Sequence, residues 1–220
     1  MSDSKADRLQ KLDTCAVSDA CDRLGVKGTV LGLHSVSVPA RIAGRVQTVL
    51  LGPASDDIPK RHLCTSAIEA ASEGDVIVIQ NHTRPDAAGW GGILSLAAKT
   101  KGLSGTICDG PVRDVDESTQ FDFPVFARSK IPSTARGRIA EHAWNVEVEI
   151  GGIAVKPGDL VLADGSGVVF VTQDREDEII ETAEEIAAKE AAMAAAVRAG
   201  KPVSQVMGGD YESMLIAGKK

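Results

Sequence analysis

Val76-Ile77-Val78-Ile79-Gln80 is followed, after a polar loop, by Ile93-Leu94-Ser95-Leu96-Ala97-Ala98-Lys99-Thr100-Lys101, and then by Gly105-Thr106-Ile107-Cys108. The first run is short and apolar almost throughout, the pattern of a strand covered on both faces. The second has helical composition and stops at Gly102. The third is again a β-rich run. A strand, a helix and a strand within about 35 residues form a βαβ unit, so parallel pairing is expected there.

To the N-terminal side, Leu9, Leu12, Val17, Ala20 and Leu24 recur at helical intervals before Gly25, which predicts helix over the first 27 residues. Residues 41–51 contain GRVQTVLL, a β-branched strand, and residues 58–71 read as a helix closed by Glu73-Gly74-Asp75. To the C-terminal side, the strand at 105–108 is expected to run into a turn at Asp109-Gly110-Pro111. Residues 124–127 form a short strand. Gly151-Gly152 joins 146–150 to 153–155 as a hairpin, and Asp164-Gly165-Ser166-Gly167 joins 160–163 to 168–171 as another. Asp174, with Asp177 three residues on, predicts the cap of a long helix reaching Ala199 before Gly200 and Pro202. The whole chain, 1–220, reads as one α/β domain mixing parallel and antiparallel strands.

The 220 residues include only seven aromatics, so the core is built from Val, Ile, Leu and Ala, without ring platforms for single-stranded nucleic acid. Net charge is −7, and residues 174–190 alone carry eight acids against two bases. No basic footprint for phosphates is left. No apolar run reaches bilayer length, and MSDSKADRLQKL has no apolar signal core, so a cytoplasmic protein without membrane association is expected. Cys15, Cys21, Cys64 and Cys108 lack metal or disulfide spacing and read as small buried hydrophobes. The four histidines are scattered, with no HExxH pair, which excludes zinc-hydrolase and cysteine-protease readings.

Two places carry chemistry. Gly89-Trp90-Gly91-Gly92 leads into the helix at Ile93, so consecutive backbone N–H groups there suit a carboxylate. Asp109-Gly110-Pro111-Val112-Arg113-Asp114-Val115-Asp116 bunches carboxylates and an arginine at a strand end, a set suited to a hard cation and an anionic substrate. Each also has a plain reading, as a flexible helix entry and as a solvated turn.

GLSGTICDGPVRDVDE resembles the hallmark segment of the RraA-like family, and LDTCAVSDACDRLG, GRVQTV, EGDVIVIQ, FPVFAR and GGIAVKPGDLVLADGSGVVFV resemble its other blocks in family order. The family holds regulators of ribonuclease E and divalent-metal-dependent 4-hydroxy-4-methyl-2-oxoglutarate/4-carboxy-4-hydroxy-2-oxoadipate aldolases. The resemblance implies a β/β/α swivelling-domain fold, assembled as a homotrimer or homohexamer. It implies Asp114 as the protein ligand to Mg²⁺ or Mn²⁺ and Arg113 as the grip on the pyruvyl oxo group. Gly91, Gly92, Ile93 and Leu94 match the stretch that holds the substrate carboxylate. The aldolase motif is Gly-x-x-x-Asp, twenty residues, then Arg-Asp. This chain has Ala88 and Gly92 at the first pair of positions, and Asp86 and Asp109 are the nearby carboxylates considered in place of the missing one.

The reaction so implied is retro-aldol cleavage of a 4-hydroxy-2-oxo acid to release pyruvate, with oxaloacetate decarboxylation as a side activity. The alternatives are a non-catalytic protein-binding module of the RNase-E-regulator type and a relative acting on another small acid. No Schiff-base lysine lies in either loop. On the C-terminal helix, Ile179, Ala183, Ile186, Met193 and Val197 form a stripe into which Glu190 falls. The family's aldolases use a glutamate from an adjacent chain, which implies that the 174–199 helix packs on a neighbouring subunit and delivers Glu190, or alternatively Glu185. Trp90 reads either as a pocket wall or as packing, Arg136 and Arg138 either as partners of a distal carboxylate or as solvated, and Asp116 as a turn carboxylate.

Overall fold

A computed structural model describes residues 4–58, 61–81 and 84–208. Two N-terminal helices, α1 (Ser4–Leu9) and α2 (Thr14–Leu24), precede the short strands β1 (Thr29–Val30) and β2 (His34–Ser35) and the long β3 (Ile42–Pro53). Then come α3 (Thr65–Ala70), β4 (Val76–Gln80), α4 (Gly92–Thr100), β5 (Gly105–Val112), α5 (Val115–Gln120), β6 (Val125–Lys130) and β7 (Ile139–Trp144). The hairpins β8 (Val148–Ile150)–β9 (Ile153–Val155) and β10 (Leu160–Asp164)–β11 (Gly167–Val171) lead to α6 (Glu176–Arg198) and α7 (Val203–Val206).

The strands other than β8 and β9 form one mixed sheet in the order β1-β11-β10-β3-β4-β5-β6-β2. The predicted βαβ unit is present: β4 lies parallel to both β3 and β5, with Ile77 opposite Gln47 and Thr106. Twelve-residue β3 is the hinge of the architecture. Its first residues pair antiparallel with β10 and its last with β7, the β7 pairing being interrupted by a bulge at Leu50/Leu51. The alternation of β4 explains its apolar sequence. Ile77 and Ile79 pack under α3 and α4 with Trp90 and Phe123, while Val76 and Val78 pack on the opposite face with Phe126, Phe170 and the β8–β9 hairpin. A third cluster joins α2 and α6, through Val17, Ala20, Ile179 and Ala183, to Leu160, Leu162 and Val171 of the β10–β11 hairpin.

Several expected elements are corrected. The first 27 residues make two helices, because Asp13 N-caps α2 by accepting the Ala16 N–H at 2.8 Å, and Asp164 takes both the N–H and the hydroxyl of Thr14. Gly25 does stop α2, in the left-handed conformation. The helix expected over 58–71 shrinks to Thr65–Ala70. Cys64 is left-handed (φ 66°) and donates its N–H to the buried Glu141 carboxylate at 2.6 Å, which pulls the preceding chain out of helical register.

Asp109-Gly110-Pro111 is no turn but part of β5, which passes through a register shift between Cys108 and Pro111. Pro is accommodated in a central strand only at such a break. Gly110 is required there, since a Cβ would lie 2.1 Å from the Asn81 carbonyl oxygen. β7 was not anticipated: its buried Glu141 interrupts the apolar alternation. Asp174 does not cap α6, whose N-cap is Arg175; Asp177 is drawn instead to Lys5 Nζ at 2.8 Å. Cys15 is exposed, while Cys21, Cys64 and Cys108 are buried as expected. Burial pushes the Cys21 thiol up to about 11 and also raises Cys64 and Cys108 above the ordinary thiol value, which disfavours all three thiolates.

Candidate active site

The site is assembled where β5 ends and α4 begins. Gly89 N–H donates to the Pro111 carbonyl and Arg113 N–H to the Trp90 carbonyl, which clamps the glycine-rich loop against the strand end. Trp90 is buried, stacks on Phe123 with centroids 6.2 Å apart, and donates its indole N–H to Ser95 Oγ at 2.8 Å. Ser95 Oγ in turn meets Ser118 Oγ at 2.8 Å, tying α4 to α5. The indole is thus the rigid support of the loop as well as part of the wall of the cavity above it.

That cavity measures about 840 Å³ and lies between residues 54–58 and 61–63, the 88–94 loop, Arg113-Asp114 and the 134–140 segment. The first intrahelical bond of α4 is Ser95 N–H to the Gly91 carbonyl, so the N–H groups of Gly92, Ile93 and Leu94 precede the ladder. Gly92 N–H donates to Asp114 Oδ2 at 3.2 Å, and Arg113 Nε donates to the same oxygen at 3.0 Å. Asp114 is left-handed (φ 55°, ψ 40°), held so by Ser118, whose N–H and hydroxyl both donate to its carbonyl. A non-glycine residue in that conformation costs about 1–3 kcal/mol, a cost typical of positions where a side chain must be aimed. The remaining Asp114 oxygen, Oδ1, has no protein partner among the described residues.

The structure therefore brings Gly91, Gly92, Ile93, Leu94, Arg113 and Asp114 to one cavity. Glu190 is not in the wall of its own chain's cavity. It lies half-buried on α6, where burial, then Asp13 and Asp19, raise its carboxyl above the usual value. Glu185 is paired at long range with Arg23. The stripe on α6 is half as expected: Ile179, Ala183 and Ile186 are buried in this chain's own α2 contact, and Val197 is exposed.

The two carboxylates considered as replacements at position 92 are engaged elsewhere. Asp86 is held by both Arg84 nitrogens, with Arg138 at 3.5 Å, and the Arg84 bond holds its carboxyl below the usual range. Asp109 is buried, accepting from Arg128 Nε at 2.5 Å and from Gly151 N–H at 2.7 Å. Arg138 is spent on Asp86, whereas Arg136 does line the cavity. Asp116 is exposed on the first turn of α5.

Three residues were not singled out from the sequence. Arg61 lines the cavity, and its Nε stands 2.9 Å from Glu141 Oε1, near enough for ion pairing but misaligned for a hydrogen bond, so that this oxygen lacks a donor. Glu141 anchors the 61–64 wall through Cys64. Glu117, in the first turn of α5, sits over Gly92, a contact between two helices that no local pattern in the sequence signals. With Arg61, Arg113 and Arg136 against Asp56 and Asp114, the cavity favours an anionic ligand.

Fold and site together define a mixed α/β protein whose cavity gathers Arg61, Arg113 and Arg136 with the N-terminus of α4 beside the Asp114 carboxylate. Residues 14–170 match the RraA-like family model, described as Aldolase/RraA, and the chain belongs to that family. It is 28% identical over 207 residues to the protein DlpA of Legionella pneumophila, covering 93% of this chain but only 34% of that protein, so it spans about a third of that relative's length. It is 28% identical over 177 residues, 80% of each chain, to a Halalkalibacterium halodurans protein named "Putative 4-hydroxy-4-methyl-2-oxoglutarate aldolase". A crystal structure of an uncharacterized protein from Pseudomonas syringae pv. tomato superposes with a TM-score of 0.84 at 31% identity, covering 94% of this chain and 98% of that one. No helix among the described residues is long and apolar enough to cross a membrane.

Proposed function

We propose that this protein is a divalent-cation-dependent lyase that cleaves a 4-hydroxy-2-oxo acid to release pyruvate and decarboxylates oxaloacetate as a side reaction. The observation that carries this reading is the Arg113-Asp114 pair, aimed into the cavity at the N-terminus of α4. The N–H groups of Ile93 and Leu94 suit the C1 carboxylate of a 2-oxo acid, helped by the positive end of the helix. Arg113 spends Nε on Asp114, which leaves its terminal amino groups as donors to the 2-oxo oxygen. Cleavage breaks the C3–C4 bond after loss of the 4-hydroxyl proton. The C4 oxygen becomes the carbonyl of the second product, the C3–C4 electron pair passes into the 2-oxo group as an enolate, and protonation at C3 gives pyruvate. In oxaloacetate the same bond breaks with release of CO₂.

The residues fit a hard cation. Asp114 Oδ1 is free at the cavity wall, and no group of three or more His, Cys, Asp or Glu converges among the described residues. An all-oxygen site with one or two carboxylates and room for water suits Mg²⁺ or Mn²⁺ rather than zinc. Such an ion, when bound, supplies Lewis-acid stabilisation of the enolate charge. Arg113 adds a fixed positive group beside the same oxygen.

The exposed apolar side chains of Ile93 and Leu96 on α4 support a homotrimer or homohexamer, in which a neighbouring α6 brings Glu190 as the hydroxyl's proton acceptor. Pyruvate release from oxaloacetate and from 4-hydroxy-4-methyl-2-oxoglutarate, measured with Mg²⁺ and with EDTA, tests the reading. Asp114→Ala should lower turnover by roughly 10²-fold or more at matched metal concentration. Comparable rates in the two proteins would defeat it.

A further inference from the structure

Two adjacent glycines at the start of α4 are bare for a reason visible in α5. A Cβ on Gly91 would lie 2.7 Å from Asp114 Oδ2, and a Cβ on Gly92 would lie 1.8 Å from Glu117 Oε2 and 2.7 Å from Glu117 Cδ. The space beside each glycine is therefore filled by a carboxylate from the start of α5. Asp114, the N-cap of α5, and Glu117, in its first turn, present both carboxylates to the same end of α4.

Asp114 Oδ2 is taken by Arg113 and Gly92, so this residue has one oxygen to spare. The Glu117 carboxylate has no hydrogen bond or ion pair with any described residue, and the side chain is exposed beside Gly92, a residue of the cavity wall. An unpaired carboxylate with nothing else to hold, set against the residue next to a free Asp oxygen, is what a water-rich six-coordinate cation requires in addition to its single direct ligand.

We infer that Glu117 is the second carboxylate of the cation site, a positioning residue that orders the cation's water from α5 in the space left by Gly92. The inference rests on the proposed cation at Asp114 and adds to it a residue from outside the aldolase motif. It also explains why α4 needs no acidic residue at its first position: the carboxylate arrives through space from another helix.

Mn²⁺ binding to the full chain, followed by electron paramagnetic resonance and by water-proton relaxation, tests this without any assay of turnover. Glu117→Gln should weaken Mn²⁺ binding by about tenfold or more and change the relaxation enhancement of the bound ion, with the thermal unfolding midpoint unchanged. Gly92→Asp combined with Glu117→Ala should restore affinity to within about threefold of wild type, since the new carboxylate enters the vacated space. Glu117→Gln that binds as wild type, while Asp114→Asn loses the ion, overturns this inference and leaves the cation at Asp114 standing. Wild-type protein that binds no Mn²⁺, or Asp114→Asn that binds it undiminished, overturns the underlying reading and this one with it.

Discussion

Glu141 is the residue whose removal should most visibly loosen the cavity, and its cost follows from two contacts. Its side chain is buried, and one oxygen accepts the Cys64 N–H at 2.6 Å, a bond to a charged acceptor where the chain is left-handed. Losing such a bond costs about 1.5–3 kcal/mol, since the amide is left without a partner. The other oxygen faces Arg61, whose side chain is 37% exposed, and a pair so open to solvent adds about 1 kcal/mol at most. Glu141→Ala should therefore destabilise by roughly 2–4 kcal/mol, which for a chain of this size lowers the unfolding midpoint by about 4–16 °C. Glu141→Gln keeps the volume and an acceptor oxygen, so its loss should be about 1–2 kcal/mol. Thermal and urea unfolding of the three proteins, followed by circular dichroism, measure both numbers. Two variants within about 1 °C of wild type would refute the reasoning, as would a Gln variant as unstable as the Ala variant.

Two further outcomes are expected. Arg113→Lys should lower kcat/KM by roughly 10²-fold in the pyruvate-release assay, because an ammonium cannot bond to Asp114 and to an oxo oxygen in one plane. Glu190→Gln should lower turnover without changing the oligomer, and mixing it with Asp114→Ala subunits should return activity; confirmed subunit exchange with no return would exclude a cross-subunit role. The same variant has a stability signature. Burial and Asp13 and Asp19 raise the folded carboxyl of Glu190, so its proton stabilises the fold at low pH and that contribution is lost as pH rises through the raised value. At neutral pH Glu190→Gln should thus melt higher than wild type, and the difference should vanish as the pH falls below the ordinary carboxylate value.

The sheet was legible wherever burial wrote a period into the chain. β4, with both faces covered, is apolar at four consecutive positions, and both hairpins announce themselves by glycine pairs at their turns. What was hidden obeys contacts between distant residues. β5 runs on through Asp109-Gly110-Pro111, a sequence that locally favours a turn, because Asp109 is captured by Arg128 of β6 and by Gly151 in the β8–β9 turn. The 58–71 helix fails at Cys64 because Glu141, 77 residues later, claims its amide. For the site, Arg113 and Asp114 were legible by resemblance, but Arg61, Glu141 and Glu117 belong to no local motif.

The placement of Glu117 also bears on how the site is stable before a cation arrives. Two carboxylates brought to one point repel, and an arrangement supported by a cation alone would spring apart without it. Here they converge on the N-terminus of α4, where the unpaired N–H groups carry roughly half a positive charge, and Arg113 adds a full one beside Asp114. The carboxylate pair is thus electrostatically supported from two directions. A cation entering there displaces no protein bond of Asp114 Oδ1 or of the Glu117 carboxylate, because neither has one among the described residues. A side chain at position 92 would take the space through which Glu117 reaches α4. The bare glycine at that position and the exposed glutamate on the next helix are therefore two halves of one structural solution.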